Sequence, residues 1–269
     1  MQTQLKSFLE HRMPRVFARL CRWVDARAAR DPRSDLRLLP LLVEPGETVC
    51  DIGANRGLFV YWLLKRGARV LAFEPNPRLT RILRLRFPAE IAAGTLTLFE
   101  TALDAVPGEA TLHVPRDHSP LATIDGHLAH AVGGAMDEVR VPLARLDDLV
   151  TGPVDFIKLD VEGHELKVLE GARRLITEHQ PSLLVEAEER HRPGAVAAVR
   201  ALLEPLGYQG FFRLDGRLEP IAAFDPARHQ PASAVGPDGI NPRDDAVYVL
   251  NFVFAARSAV VERLAAWRA

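Results

Sequence analysis

The sequence predicts an α/β domain with a doubly wound, mostly parallel sheet, and three observations support this prediction. The 269 residues are 48% hydrophobic, which is enough for one substantial core. From residue 46 onward, short β-like segments alternate with segments of helical periodicity. A turn that contains two glycines, "GANRG", follows the first predicted strand and precedes the first helix of this series. Such alternation is typical of βαβ units, whose strands are parallel.

The N-terminal segment precedes this alternation and differs from it in composition. Arginine is frequent up to residue 38, and apolar side chains recur at helical spacing, namely Leu5, Phe8, Leu9, Val16, Phe17, Leu20, Trp23 and Val24. We therefore predict an N-terminal helical extension over residues 1–44 and a main domain over residues 45–269. We expect the amphipathic helix to pack on the domain. A helix that binds a membrane surface or a partner is the alternative.

The elements of the main domain follow in order. The strands "TVCDI" and "ARVLAF" flank the helix "GLFVYWLLKRG", and this βαβ unit is followed by the strands "TLTLFE", "DFIKLD" and "SLLVE". Further helices are predicted from Thr80 to Arg86, from Glu165 to Ile176 and from Gly194 to Leu206. The segments "YQGFFRL" and "VYVLNFVF" predict an antiparallel C-terminal finish to the sheet.

Two regions depart from the alternation. The strand-like segments "EATLHV" and "EVRVPL" surround a loop rich in glycine and histidine, and residues 222–245 combine many prolines with little apolar periodicity. We predict a long loop over residues 222–245. Both regions are expected to cover the pocket, together with the N-terminal helices, and to select the substrate.

Charge and cysteine content narrow the function classes. The formal net charge is -1, so we expect no nucleic-acid partner and no electrostatic binding to an anionic membrane. Cys21 and Cys50 are too few for a disulfide framework or a thiolate metal site. No segment reaches the roughly 18 apolar residues of a transmembrane helix, and the N-terminus lacks the apolar core of a signal peptide. We therefore expect a soluble, cytoplasmic protein.

The turn in "VCDIGANRGLF" indicates the class of cofactor. It lacks the Gly-Lys-Ser/Thr ending of a phosphate-binding loop and the three-glycine pattern of a dinucleotide site. The carboxylate of Asp51 would repel a pyrophosphate but attract an ammonium or sulfonium group, which favours S-adenosylmethionine. Glu74 ends the second strand, where a carboxylate can accept hydrogen bonds from ribose hydroxyls. The alternative is that both acids only cap the following helices.

Six segments in order resemble one family. They are "VCDIGANRGLF", "AFEPNP", "ETALDAVPGEATLHV", "VPLARLDDL", "VDFIKLDVEGHELKVLEGA" and "LLVEAEERH", which lie between residues 49 and 191, and the resemblance covers roughly residues 46–190. This series is similar to the FkbM-type S-adenosylmethionine-dependent methyltransferases. The resemblance implies a class I methyltransferase (Rossmann-like) fold and S-adenosylmethionine as the cofactor.

The resemblance also implies which residues bind that cofactor. The methionine end would lie against Asp51, Gly53, Asn55 and Gly57. Glu74 would hold the ribose, and Pro75 and Asn76 would shape the adenine side. The residues near the adenine ring would be Thr101, Ala102 and Leu103.

The acids after the fourth parallel strand are the candidate catalytic residues. In "DFIKLDVEGHE" we expect Asp160, Glu162 and His164 to meet near the sulfonium, in the crevice at the carboxyl ends of the strands. His164 has the unperturbed pKa best suited to a base, but Asp160 or Glu162 could serve if neighbours raised its pKa. The alternative is that residues 162–165 only cap the next helix.

A metal-assisted methyl transfer is an alternative mechanism. Catechol-type methyltransferases hold magnesium with acids beside this strand, and Asp160, Glu162 and Glu186 could supply such oxygens. Nothing in their spacing requires a metal, so a divalent metal is not favoured.

The family resemblance implies methylation of a hydroxyl on a sugar or secondary metabolite, with a small-molecule or glycan acceptor. A nucleic-acid methyltransferase is an alternative, but the sequence lacks an Asn/Asp-Pro-Pro-Tyr signature and a basic excess. A non-catalytic binding protein with a cofactor fold is the other alternative. It is disfavoured because both cofactor acids and the turn glycines are present.

Overall fold

The computed structural model describes residues 9–10, 12–115, 122–124, 135–236, 243 and 246–268. The strands are β1 Thr48–Ile52, β2 Arg69–Phe73, β3 Leu96–Phe99, β4 Ala102–Leu103, β5 Gly108–Pro115, β6 Met136–Ala144, β7 Phe156–Leu159, β8 Ser182–Glu186, β9 Gln209–Leu214, β10 Arg217–Pro220 and β11 Asn251–Ala255. The helices are α1 Pro14–Ala28, α2 Leu39–Leu42, α3 Leu58–Lys65, α4 Pro77–Arg86, α5 Pro88–Ala92, α6 Leu146–Leu149, α7 Glu165–Gly171, α8 Arg173–His179, α9 Ala195–Leu203, α10 Pro226–His229 and α11 Ser258–Ala266.

Eight strands form the main sheet, in the order β10-β9-β11-β8-β7-β1-β2-β3. The strands from β3 to β8 in this order are parallel, whereas β11 runs antiparallel to both β8 and β9. The predicted doubly wound fold with an antiparallel C-terminal strand is confirmed. The order reverses between β1 and β7, which are paired so that Asp51 lies opposite Lys158. This reversal is the point where open α/β sheets bind ligands.

The core lies on both faces of this sheet. Because side chains alternate along a strand, neighbouring residues such as Val49 and Cys50 enter two different apolar clusters. All four residues of β7 are buried. The central strands are therefore covered on both faces, as expected for parallel sheets.

A smaller sheet stands beside the main one. It has the order β4-β6-β5, with β5 and β6 antiparallel over their whole length. These strands contain the predicted segments "EATLHV" and "EVRVPL". The loop predicted between them lies almost entirely outside the described residues, as do positions 237–242 and 244–245 of the predicted C-terminal loop. The described part of that loop includes α10.

The helix predicted from Glu165 to Ile176 is instead two helices, α7 and α8, that meet at Ala172. A Cβ added to Gly171 would lie 2.1 Å from the Asp104 carbonyl oxygen, so the chain passes very close to the segment after β4. The Asp147 carboxylate accepts the backbone N–H groups of Arg174 and Leu175, at 2.9 and 3.0 Å. These bonds satisfy the free amides of the new helix start.

The helix predicted from Gly194 to Leu206 is also shorter than expected. The α-helix α9 ends at Leu203, and a 3-10 turn over Glu204–Leu206 completes the segment. Pro205 lies within this turn. A proline ring clashes with the preceding turn of an α-helix, which accounts for the change of geometry.

The N-terminal helix α1 packs on the domain, as predicted. Phe17 and Ala18 are buried, and the Trp62 indole N–H donates to the Asp25 carbonyl oxygen at 2.9 Å. The fully buried guanidinium of Arg86 pairs with the Asp25 carboxylate. The same helix leaves several apolar side chains exposed: Met13, Val16, Leu20, Trp23 and Val24. Only part of its predicted apolar face is therefore packed, and the division of the chain at residue 44 stays a prediction.

None of the helices in the described part of the chain combines the length and apolarity that a membrane crossing requires.

The Asp25–Arg86 pair provides a test of how α1 is held. We expect Asp25→Ala to lower the free energy of unfolding by about 3 kcal/mol, because it leaves a buried guanidinium without its counterion. Urea denaturation measures this change. The control is Asp31→Ala, whose half-exposed carboxylate pairs with an exposed arginine and should contribute less than about 1 kcal/mol. Equal small effects of both substitutions would mean that the pair does not anchor the helix.

Candidate active site

A cleft of about 640 Å³, open mouth included, lies at the carboxyl ends of the parallel strands. Its lining contains most of the predicted site residues: Gly53, Asn55, Glu74, Pro75, Thr101, Ala102, Leu103, Asp160, Glu162 and His164. Further lining residues are Ile52, Phe73, Leu79, Leu112, Ala122, Ile124 and Val161. The three predicted catalytic residues are therefore brought together.

The turn after β1 is held against the strand ends by backbone contacts. The amides of Gly53 and Ala54 both donate to the Phe73 carbonyl oxygen, at 3.0 Å. Gly53 has φ +74°, and an added Cβ would lie 1.8 Å from the Asp160 carbonyl oxygen. Only glycine fits here, because the loops after β1 and β7 touch through their backbones.

Three predicted cofactor residues do not line the cleft. Gly57 has φ +84° and starts α3, where an added Cβ would lie 2.7 Å from Leu83 and from Phe87. Asn76 is buried and its side chain accepts the Arg78 amide, which caps α4. The geometry gives both residues a structural role. Asp51, the third, lies behind the lining at the end of β1.

Asp51 is an unusual buried acid. It has no solvent exposure, and within the described residues neither carboxylate oxygen has a hydrogen-bond partner of normal geometry. The nearest cation is the Lys158 ammonium, at 3.8 Å. Burial raises the pKa of Asp51 to about 6, although Lys158 opposes this shift. Such a carboxylate retains hydrogen-bond capacity for a cationic ligand.

Lys158 links the two loops electrostatically. Its ammonium lies 3.0 Å from the Asp160 carboxylate and donates to the Gly53 carbonyl oxygen at 3.1 Å. Lys158, Asp51 and Asp160 form what we call the charge trio, in which two carboxylates face one ammonium. When ionised, the trio carries an excess negative charge beside the cleft.

Glu74 is held in a fixed position. Its carboxylate accepts the amides of Asn55 and Asn76, at 2.8 and 2.9 Å, and the residue is 5% exposed. Burial raises the pKa of Glu74 to about 7, while these two amides lower it. Each carboxylate oxygen retains a further lone pair for a hydroxyl donor.

Glu162 stands on a strained turn. Its φ is +51° and the following Gly163 has φ +91°, so two successive residues adopt left-handed conformations. Left-handed backbone at a non-glycine residue is uncommon and tends to occur at functional sites. Burial raises the pKa of Glu162 to about 8, and the carboxylates of Asp160 and Glu188 add to this shift.

His164 has a partner that the sequence analysis missed. Its Nε2 lies 2.6 Å from the Asp104 carboxylate, and this bond fixes the imidazole at the cleft wall. Asp104 directly follows the short strand β4, and this position at a strand end is the only feature of the sequence that could have pointed to it. The Glu165 carboxylate accepts the amides of Val161 and Gly163, at 3.3 and 3.0 Å. Glu165 therefore supports the turn and is not among the lining residues.

One flank of the cleft is apolar. Sequence analysis placed Ala102 and Leu103 there, but it missed Phe73, Leu79, Leu112, Ala122 and Ile124. Several of these belong to the small sheet or to the segment beside it. The hydrophobic periodicity of a sequence does not show where such a second sheet lies relative to the main one. This flank suits a flat, weakly polar ring.

Glu186 was the third acid, with Asp160 and Glu162, that the sequence offered as a metal ligand. Glu186 ends β8, and burial raises its pKa well above the usual value, with Asp160 and Glu162 adding to the shift. Across the described ranges, no three His, Cys, Asp or Glu side chains form a group arranged to hold a metal ion.

The fold and cleft are those of a class I methyltransferase, and comparison with known proteins defines the family. Residues 51–209 match the model of the methyltransferase FkbM domain. The chain is 31% identical over 198 residues to methyltransferase sdnD of Sordaria araneosa, covering 60% of this chain and 73% of that protein. It is 32% identical over 149 residues to the hexuronic acid methyltransferase AglP of Haloferax volcanii, covering 53% and 58% of the two chains.

A solved structure agrees with this assignment of the fold. The FkbM methyltransferase of Methylobacillus flagellatus KT superposes with a TM-score of 0.50 at 21% identity, over 79% of this chain and 44% of that longer chain. Because the FkbM domain model matches more than half of the sequence, the chain belongs to the FkbM methyltransferase family. Methyltransferases of this family use S-adenosylmethionine.

The contact at Gly53 generates a prediction for the whole site. We expect Gly53→Ala to lower the free energy of unfolding by at least about 2 kcal/mol, since it combines left-handed backbone strain with overpacking against the Asp160 carbonyl. Thermal and urea denaturation measure the loss. Gly152→Ala is the matched control, because an added Cβ there meets open space. A Gly53→Ala protein as stable as this control would contradict the close approach of the two loops.

Proposed function

We propose that this protein transfers a methyl group from S-adenosylmethionine to a hydroxyl of a small-molecule or glycan acceptor. The observation that carries the proposal is the fully buried carboxylate of Asp51, which shares the Lys158 ammonium with Asp160 in the charge trio. Burying a carboxylate is costly unless a cation compensates it, and one ammonium is shared by two acids. A cofactor with an ammonium and a sulfonium supplies the missing positive charge.

The residues fit the parts of that cofactor. Asp51 and Asp160 would face its cationic end, with Gly53 and Asn55 allowing close approach of the backbone. Glu74, already oriented by two amides, would accept the ribose hydroxyls. The adenine would contact the apolar flank, which includes Thr101, Ala102, Leu103, Phe73 and Ile124. Pro75 would contact the same side.

Glu162 is the residue we assign as the base. When bound, S-adenosylmethionine would supply an electrophilic methyl carbon to the acceptor oxygen, with the carbon–sulfur electron pair remaining on sulfur, and Glu162 would take the hydroxyl proton. A carboxylate with a pKa of about 8 is a far stronger base than an ordinary glutamate. Asp160 is held by the ammonium of Lys158, and His164 is bound to Asp104. We therefore assign Asp160 to charge compensation and His164 to positioning.

The choice of a hydroxyl acceptor rests on chemistry and on similarity. A neutral hydroxyl needs a proton acceptor when it is methylated, and the cleft provides one in Glu162. One similar protein is by its name a hexuronic acid methyltransferase, which supports a sugar acceptor; such a sugar carries several hydroxyls and one carboxylate, and label found only on the carboxylate would count against a hydroxyl acceptor. The test is transfer of a radiolabelled methyl group to a panel of hexuronic acids and hydroxylated natural products. Label found only on amines or nucleic acid would overturn the proposal.

The pKa of Asp51 generates a prediction for cofactor binding. Its carboxylate must be ionised to attract a cation, so affinity for S-adenosylmethionine should rise as the pH rises through about 6. We expect a gain of roughly tenfold between pH 5 and pH 8 from this one group. Calorimetry at a series of pH values measures it.

Asp51→Asn isolates this effect. The variant should bind the cofactor with an affinity about 1 to 3 kcal/mol weaker at pH 8, and its pH dependence should be flatter. Asp148→Asn is the control, since Asp148 is exposed and lies away from the cleft. Unchanged affinity and an unchanged pH profile in a folded Asp51→Asn protein would remove the charge trio from cofactor binding.

A second prediction concerns the base. Glu162→Gln should lower kcat by about 10²- to 10⁴-fold with the best acceptor from the panel, while cofactor affinity is retained. A base must be deprotonated to act, so wild-type kcat/KM should rise with pH through about 8, and this rise should be absent in the variant. Glu170→Gln, at an exposed ion pair with Lys167, is the control.

The same assay distinguishes the roles of His164 and Asp160, the other two candidates for the base. We expect His164→Ala to lower kcat less than tenfold, and we expect Asp160→Asn to act mainly by weakening cofactor binding. If His164→Ala caused the larger loss of kcat and removed the pH dependence, His164 would be the base. Assays with and without a chelator complete the comparison, because loss of activity on chelation and its return with magnesium would indicate a metal-assisted reaction.

A further inference from the structure

A second cavity, which we call the helix groove, lies between α1 and the turn after β1. It encloses about 1350 Å³, open mouth included. Its lining on the N-terminal side is Leu9, Phe17, Leu20, Cys21, Trp23, Val24 and Asp25. The opposite wall and the inner end are formed by Gly53, Ala54, Asn55, Arg56, Leu58, Phe59, Lys158 and Asp160.

The groove adjoins the cofactor cleft, because three residues line both cavities. Gly53, Asn55 and Asp160 line both cavities. A molecule that occupies the groove therefore reaches the same carboxylate as a molecule in the cleft. Charged side chains of the domain are concentrated at this inner end, where Lys158 and Asp160 form their ion pair.

The outer part of the groove is apolar. Phe17, Leu20 and Val24 recur at helical spacing along one face of α1, and Leu58 and Phe59 stand on the domain side. Leu20 is 45% exposed, Val24 56% and Trp23 61%. Large apolar side chains left in water side by side mark a binding surface.

Helix α1, which forms one wall of the groove, is attached to the domain at both ends. The Asp25–Arg86 pair and the bond from Trp62 to the Asp25 carbonyl fix the far end of α1. The Glu10 carboxylate binds the Arg56 guanidinium at 3.1 Å, which ties the chain before α1 to the turn itself. The groove is thus a concave site with two fixed walls. A flat lipid surface would touch its rim but could not reach Asp160.

We propose that the helix groove binds the apolar body of the methyl acceptor and presents a hydroxyl where the groove meets the cleft at Asp160, so that the hydroxyl faces Glu162 on the cleft side. This inference rests on the proposed function and narrows its substrate class. The acceptor is then an amphipathic molecule, with a hydroxylated end and an aliphatic or aromatic portion. A free monosaccharide would leave the walls formed by Leu20, Val24 and Phe59 in contact with water.

The test uses two probes that carry the same sugar. Methyl β-D-glucoside and n-octyl β-D-glucoside, below its micellar concentration, are titrated into the protein by calorimetry, with and without S-adenosylhomocysteine. We expect one octyl glucoside to bind per chain, at least tenfold more tightly than the methyl glucoside, because the alkyl chain buries apolar surface. Leu20→Asn should weaken octyl glucoside binding about tenfold.

Leu149→Asn is the matched control, since Leu149 is an exposed leucine outside the groove. It should bind the octyl probe as the wild type does. Equal affinity for the two glucosides, or no effect of Leu20→Asn, would overturn the inference while S-adenosylhomocysteine binding stayed intact. Absence of S-adenosylhomocysteine binding would instead overturn the proposed function. Co-sedimentation with phosphatidylcholine vesicles that depends on Leu20, without one-to-one probe binding, would identify a lipid-contact surface and also overturn the inference.

Discussion

The position of the two loops that border both cavities depends on one buried ammonium, that of Lys158. Lys158 lies opposite Asp51 in the pairing of β1 with β7, and it also contacts Asp160 and the Gly53 carbonyl oxygen. These contacts hold the loops that follow the two central strands within backbone distance of each other. Both cavities open from this junction, because the same loops form the base of the cleft and the inner end of the helix groove. Without the lysine, two carboxylates would repel each other where the sheet must bind its ligand.

The N-terminal helix adds the wall that the sheet itself cannot provide. Phe17 and Asp25 are buried against the domain, whereas Leu20, Trp23 and Val24, which also line the groove, are exposed. Part of the apolar face of α1 is therefore packed on the domain, and the rest is exposed. A helix that only stabilised the fold would be expected to bury its whole apolar face. The unburied portion gives the chain a surface distinct from the FkbM domain, since the family match begins at residue 51.

Most of the fold and part of the site follow from the sequence, for identifiable reasons. Strand and helix periodicity defined the parallel core, and the strand-end acids Asp51, Glu74 and Asp160 marked the ligand edge. Contacts between distant segments were not predictable. The Asp104–His164 bond and the break at Ala172 both depend on the segment after β4, which packs against α7 at Gly171. The exposure of Leu20 and Trp23 was missed for a related reason, because periodicity shows that a face is apolar but not what covers it.

The charge trio also bears on the end of a catalytic cycle. Under the proposed function, the reactant cofactor carries a positive sulfur and the spent cofactor does not. An excess negative charge in a site of low dielectric constant distinguishes these two forms by Coulombic energy. Methyl transfer would remove the attraction between the trio and the sulfonium, while the ammonium of the spent cofactor would remain charged. The site would therefore bind the reactant by two positive groups and the product by one.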